Sequence, residues 1–168
     1  CLFKLVVPRA LEPYLDADYA RRNLELVRRR SEIVKKYGMQ AAVVVIDPFY
    51  LPEQAYLDHP AWRGPRCDHP RRSRDMYFSP CIDNEEVRGL YYEAMQRLCA
   101  EVDIGFFQII TNDSGAGVCW STGLYNGPNG PEACRKVSMA DRIVGFLQVL
   151  YDAARSQGRE TLIDITSD

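Results

Sequence analysis

The chain has 168 residues, 46% hydrophobic and 26% charged, with a formal net charge of −2. That is enough apolar material for one core, and the near-neutral balance lacks the basic footprint of a nucleic-acid binder. No apolar run approaches the roughly 20 residues of a membrane helix, and a start at Cys1 rather than Met reads as a processed product, a cloned piece or the ordered part of something longer.

The apolar runs predict strands over 2–7, 41–46, 105–110 and 161–165. Between them lie three helical patterns. The first spans about 18–37, with Asp18 as N-cap, Gly38 as stop and Leu24, Val27, Val34 and Tyr37 on one face. The second spans about 84–102. Asp83 and Glu86 form a capping-box pattern there, ahead of a stripe of Val87, Leu90, Tyr91, Ala94, Met95, Leu98 and Val102. The third spans about 138–156, capped by Ser138, with Ile143, Val144, Leu147, Leu150 and Tyr151 facing inward. Tyr77 and Phe78 suggest a further short extended piece.

The order is therefore βαβαβαβ, which predicts an α/β fold with parallel strands and helical crossovers. The loops are lopsided. Those leading from helix to strand are short, whereas 8–17, 47–83 and 111–137, leading from strand to helix, are long. Elaboration at the carboxyl ends of the strands is the mark of the (β/α)8 TIM barrel. A doubly wound parallel sheet is the alternative, since it gathers ligands at the same edge. A full barrel takes about 250 residues, so four strands and three helices make about half of one. Such a half-barrel leaves an apolar interior face open, to be covered by a missing chain segment or a partner.

The candidate chemistry lies where the third strand ends, at Asn112-Asp113-Ser114-Gly115. A carboxylate beside an amide and a hydroxyl can orient a substrate or move a proton, and glycines let the backbone approach a ligand. A turn capped by Asp113 is the plainer reading. Asp47 ends the preceding strand, and two carboxylates facing one cavity would suit glycoside hydrolysis, unless Asp47 only holds its own loop. Trp120 and Tyr125 could stack on a sugar face or simply pin their loop. Arg63, Arg66, Arg71, Arg72 and Arg74 crowd the second loop. They are candidates for an anionic substrate group, Arg72 among them, with salt bridges to Asp58, Asp68 and Asp75 as the rival use. Asp164 lies in or at the end of the last strand.

The six cysteines show no CxxC pair, and Cys99, on the apolar side of a helix, reads as a buried thiol. Cys67, His69 and Cys81 match no zinc spacing. Pro8-Arg9-Ala10-Leu11 after the first strand is unsuited to phosphate. No cofactor is expected.

Three stretches carry a resemblance. Val45-Ile46-Asp47 ends an apolar strand, 77–87 reads as an extended segment, a proline and a capped helix, and the next strand ends at Asn112-Asp113-Ser114-Gly115. In this order they resemble TIM-barrel glycoside hydrolases of the hexosaminidase and α-glucuronidase types, over about 33–165. There the loop holds Asp-Glu or Asn-Ser-Glu-Gly. The resemblance implies a partial glycosidase barrel acting on carbohydrate, with Asp113 as the aspartate that orients and polarises the substrate. Ser114 stands where those families place the general-acid Glu, and a serine cannot serve as that acid. The resemblance therefore also implies an alternative, a non-catalytic carbohydrate-binding barrel.

Overall fold

The computed structural model describes residues 1–67, 75–113, 115–119 and 137–167. Its helices are α1 (Ala17–Lys36), α2 (Glu53–Asp58), α3 (Glu85–Glu101) and α4 (Met139–Ser156). Its strands are β1 (Ala41–Ile46), β2 (Arg63–Arg66), β3 (Phe78–Pro80), β4 (Ile104–Thr111) and β5 (Leu162–Ser167). β1, β4 and β5 form a parallel sheet in that order, with β4 in the middle. β2 and β3 make a small antiparallel pair inside the long loop after β1, where α2 also lies. The fold is thus α/β, with three parallel strands.

The expected strand at 2–7 is not one. Leu2–Lys4 is a 3-10 turn. Its bonds are local, with the Leu5 amide donating to Leu2 O at 2.9 Å. The Leu2 amide is held by Asp47 Oδ2 at 2.6 Å. Side chains explain the conformation: Leu2 and Phe3 are buried, and Phe3 packs on Tyr91 with ring centroids 4.6 Å apart. Apolar content alone does not distinguish a strand from a buried turn.

The sheet has unlike faces. Val43 and Val45 of β1 and Phe107 and Ile109 of β4 point into one core with Ala20 and Leu24 of α1, the α3 stripe, and Phe146 and Leu150 of α4. Ile163 and Ile165 pack against the same core. On the other face Val44 is 55% exposed and Leu162 is 65% exposed. A doubly wound sheet covers both faces with helices; here the described helices cover one.

Helix ends show which polar groups win. Asp16, not Asp18, caps α1, accepting from the Tyr19 amide at 2.8 Å. Asn84, not Asp83, caps α3, accepting from Val87 N at 3.1 Å. Asp83 instead takes the Arg142 Nε–H, and Glu86 takes the Trp62 indole N–H at 2.6 Å. The α3 stripe is buried as expected, Cys99 included, and burial pushes that thiol up to about 11. α4 keeps most of its expected inward face, with Ile143 and Leu147 packed against the core. Arg142, Phe146 and Leu150 are fully buried while Val144 is 62% exposed. The ion pair to Asp83 is what lets an arginine lead the inward face. Tyr37, expected on the inner face of α1, is 76% exposed because it lies past the helix end.

Asp47 fastens the amino-terminal turn to the sheet. It is 1% exposed. Its oxygens accept from Leu2 N at 2.6 Å, Phe49 N at 3.2 Å and the Tyr91 hydroxyl at 3.3 Å. Burial raises its pKa from 3.8, because a dry site disfavours charge, while these bonds oppose the rise. The folded chain then holds this proton more tightly than the unfolded one. The contribution favours the fold below the ordinary carboxylate pKa and is lost as pH rises through the raised value. Carbon-detected NMR should place the Asp47 midpoint above 3.8. Asp47→Ala leaves three buried donors unmatched and should cost about 2–4 kcal/mol in denaturant unfolding.

Candidate functional site

All long connections leave the carboxyl ends of β1 and β4, as the loop lengths predict. β4 ends at Thr111, and the chain turns at once because Asn112 takes φ 61°. Asparagine tolerates this left-handed region better than most residues. Its Oδ1 accepts from the Val118 amide at 3.0 Å, closing the loop with its own side chain. Within the loop the Ala116 amide donates to Asp113 O at 2.8 Å.

This loop is bound to its neighbours largely through backbone atoms. Tyr50 N donates to Gly115 O at 3.0 Å, and Gly117 N donates to Pro48 O at 3.0 Å. Phe49 and Ala116 form an antiparallel bridge. From the β2–β3 pair, the buried Ser79 hydroxyl donates to Gly117 O at 2.6 Å, and the Cys67 thiol to Gly115 O at 3.1 Å. On the far side Arg142 Nη1 donates to Cys119 O at 2.9 Å, tying the loop to α4. Asp113 therefore sits half-buried on a loop fixed from three directions. Beside it runs a row of rings: Phe49–Tyr50 and Tyr50–Tyr77 centroids are each 4.5 Å apart. The site can offer a carboxylate and an aromatic surface in fixed relation.

Of the residues singled out from sequence, Asn112 and Asp113 lie together at the end of β4. Asp47 does not join them on an open surface; its carboxylate turns into the helix-covered core, occupied by the donors named above. Ser114, Trp120, Tyr125 and Arg72 lie outside the described residues. Of the crowded arginines, Arg63 is committed to Glu53 and stacks over Tyr56 and Phe78, 5.0 and 4.7 Å from their centroids. Among the described residues no cluster of His, Cys, Asp or Glu is placed to hold a metal, and no helix is long and apolar enough to cross a membrane.

Sequence reasoning missed Tyr50, Tyr77 and Ser79. Tyr50 was legible in principle, two residues beyond a strand end in Pro48-Phe49-Tyr50. Tyr77 and Ser79 had no such signal, because only the antiparallel pairing of β2 with β3 brings them to the rim.

No family model matches the sequence, and no curated protein matches it. Among solved structures, the chain is similar to a GH36 alpha-galactosidase from Geobacillus stearothermophilus, at 19% identity and a TM-score of 0.45, covering 82% of this chain and 18% of that one. It is also similar to a candidate alpha-N-acetylgalactosaminidase from Bacillus halodurans, at 12% identity and a TM-score of 0.47, covering 99% of this chain and 34% of the other. The chain thus spans about a fifth and a third of these two proteins.

Gly115 has φ +97°, and a Cβ there would lie 3.0 Å from Tyr50 Cδ1. Gly115→Val should cost about 2 kcal/mol through backbone strain and displace the ring. Hydrogen exchange at the Gly117 amide, bound to Pro48 O, should speed up ahead of global unfolding.

Proposed function

We propose that this chain is a single domain, part of a (β/α)8 barrel of glycoside-hydrolase type, acting on carbohydrate at the carboxyl ends of its strands. The observation that supports it best is the one-sided sheet with every long loop at one end and Asp113 fixed there. In a barrel the helices lie outside and the uncovered face is the interior. That face carries Ala42, Val44 and Ile46 on β1, Phe106, Gln108 and Ile110 on β4, and Leu162, Asp164 and Thr166 on β5. The remaining strands of the protein would close over it.

In this reading Asp113 accepts hydrogen bonds from sugar hydroxyls and orients the reacting ring. Asn112 shapes the loop, and its backbone presents Asp113. Ser114 adds a hydroxyl, Trp120 and Tyr125 give the sugar a flat apolar platform, and Arg72 binds an anionic substituent. Asp47 serves by holding the loop from below, not by touching substrate.

Two measurements test this. In the intact protein, Val44→Asp should cost about 2 kcal/mol or more, because the barrel interior would bury an unpaired charge. A change below about 0.5 kcal/mol, typical of surface positions, overturns the barrel. Asp113→Ala should lower product release from a glycan panel by about 100-fold or more, the scale of a positioned acid–base or orienting group. Unchanged release sinks the role of Asp113.

Ser114 favours a second reading, binding without hydrolysis. The same panel separates the two: retained glycan with no released product supports the binding barrel.

A further inference from the structure

Near the rim, lined in part by Phe49 and Tyr50, is a cleft of about 270 Å³. It lies between the start of α1, the amino-terminal turn and the segment after β1. Its lining includes Leu15, Tyr19, Phe49 and Tyr50, with Lys4 and Asp16 at its edge. The Lys4 ammonium lies 4.6 Å from the Phe49 ring centroid, and among the described residues it joins no ion pair. Asp16 uses Oδ1 to cap α1, while its Oδ2 takes none of the described bonds. Tyr19, 46% exposed, holds a ring in solvent at this edge.

We propose that this cleft is a second saccharide subsite, taking one neutral sugar ring. The proposal rests on the carbohydrate reading above for its ligand class, and on its own geometry for its place. A pyranose has an apolar face of C–H groups and an equatorial belt of hydroxyls. Rings that also carry a polar edge suit both. Here the Tyr19 ring offers exposed apolar surface, Lys4 offers donors and Asp16 an acceptor. One cation and one anion at the edge select against a ligand of strong net charge. Tyr50 belongs to both places, since it packs against Gly115 of the Asp113 loop and also lines the cleft. A glycan of two or more units could therefore pass from the rim to the cleft across one ring.

The test uses the intact protein with ¹³C-labelled aromatic rings, titrated with methyl glycosides and matching disaccharides of glucose, galactose, N-acetylglucosamine and N-acetylgalactosamine, and with methyl glucuronide. At least one neutral disaccharide should shift the Tyr19 and Phe49 ring signals. Tyr19→Ala, a substitution at an exposed position, should weaken that disaccharide roughly tenfold. Silent rings with every neutral sugar, or a response to glucuronide alone, overturn the subsite. The two proposals fail separately. Asp113-dependent binding with silent cleft rings sinks the cleft only, whereas cleft shifts that Asp113→Ala leaves intact, with no loss of product release, sink the rim only.

Discussion

β4 is hydrogen-bonded on both edges, to β1 and to β5, and covered on one face. Phe107 and Ile109 are essentially inaccessible between α3 and α4. Each side chain of that size contributes about 1.5–3 kcal/mol on burial, which makes this strand the fixed frame of the molecule. Its register sets that of its neighbours, because a slip of one residue would exchange buried and open faces. Everything at the carboxyl end inherits its position from where β4 stops. Thr111 is still paired and buried, Asn112 turns left-handed, and Asp113 follows it.

The second constraint is Asp47. One carboxylate binds the turn before α1, the segment after β1 and the hydroxyl of Tyr91 on α3. Leu2 lies 45 residues before Asp47 and Tyr91 44 residues after it. The segment after β1 then carries Pro48, Phe49 and Tyr50, which hold the Asp113 loop by backbone bonds. Asp47 thus acts on the rim from inside the core. A buried acid held by several partners gives precise placement, at the cost of sensitivity to the loss of any of them.

What was legible in the sequence was what periodicity and loop length encode. The α3 stripe, the three parallel strands and the polar end of β4 all follow from spacing. Several of the failures involve a polar group whose partner is distant in sequence. Asp47 takes the Leu2 amide and anchors the Leu2–Lys4 turn. Arg142 joins the inward face of α4 because Asp83 pairs with it. Asp83 gives up its expected capping role for the same reason. The small β2–β3 pair escaped because strands of four and three residues carry little pattern. The rim was found by position, but the rings beside it and the Ser79 bond needed the fold.

Carboxylate placement also bears on whether the rim can hydrolyse. Two acids must flank a scissile bond at about 5–5.5 Å or 6.5–9.5 Å, according to mechanism. Asp47 is buried, with its oxygens taken by Leu2 N, Phe49 N and the Tyr91 hydroxyl. Asp164 is on the open face, where Gln108 Nε2 donates to it at 3.3 Å. It pairs in register with Gln108, three residues before Thr111. At about 3.3 Å per residue it lies about 10 Å below the strand end, and Asp113 is two residues beyond that end. The two are thus too far apart along the sheet for a shared bond. Its bonds to Gln108 and Thr166 instead suit a polar layer inside a barrel. In the proposed reading Asp113 orients the sugar, and since a serine at 114 cannot protonate the glycosidic oxygen, hydrolysis there calls for a proton from a different side chain.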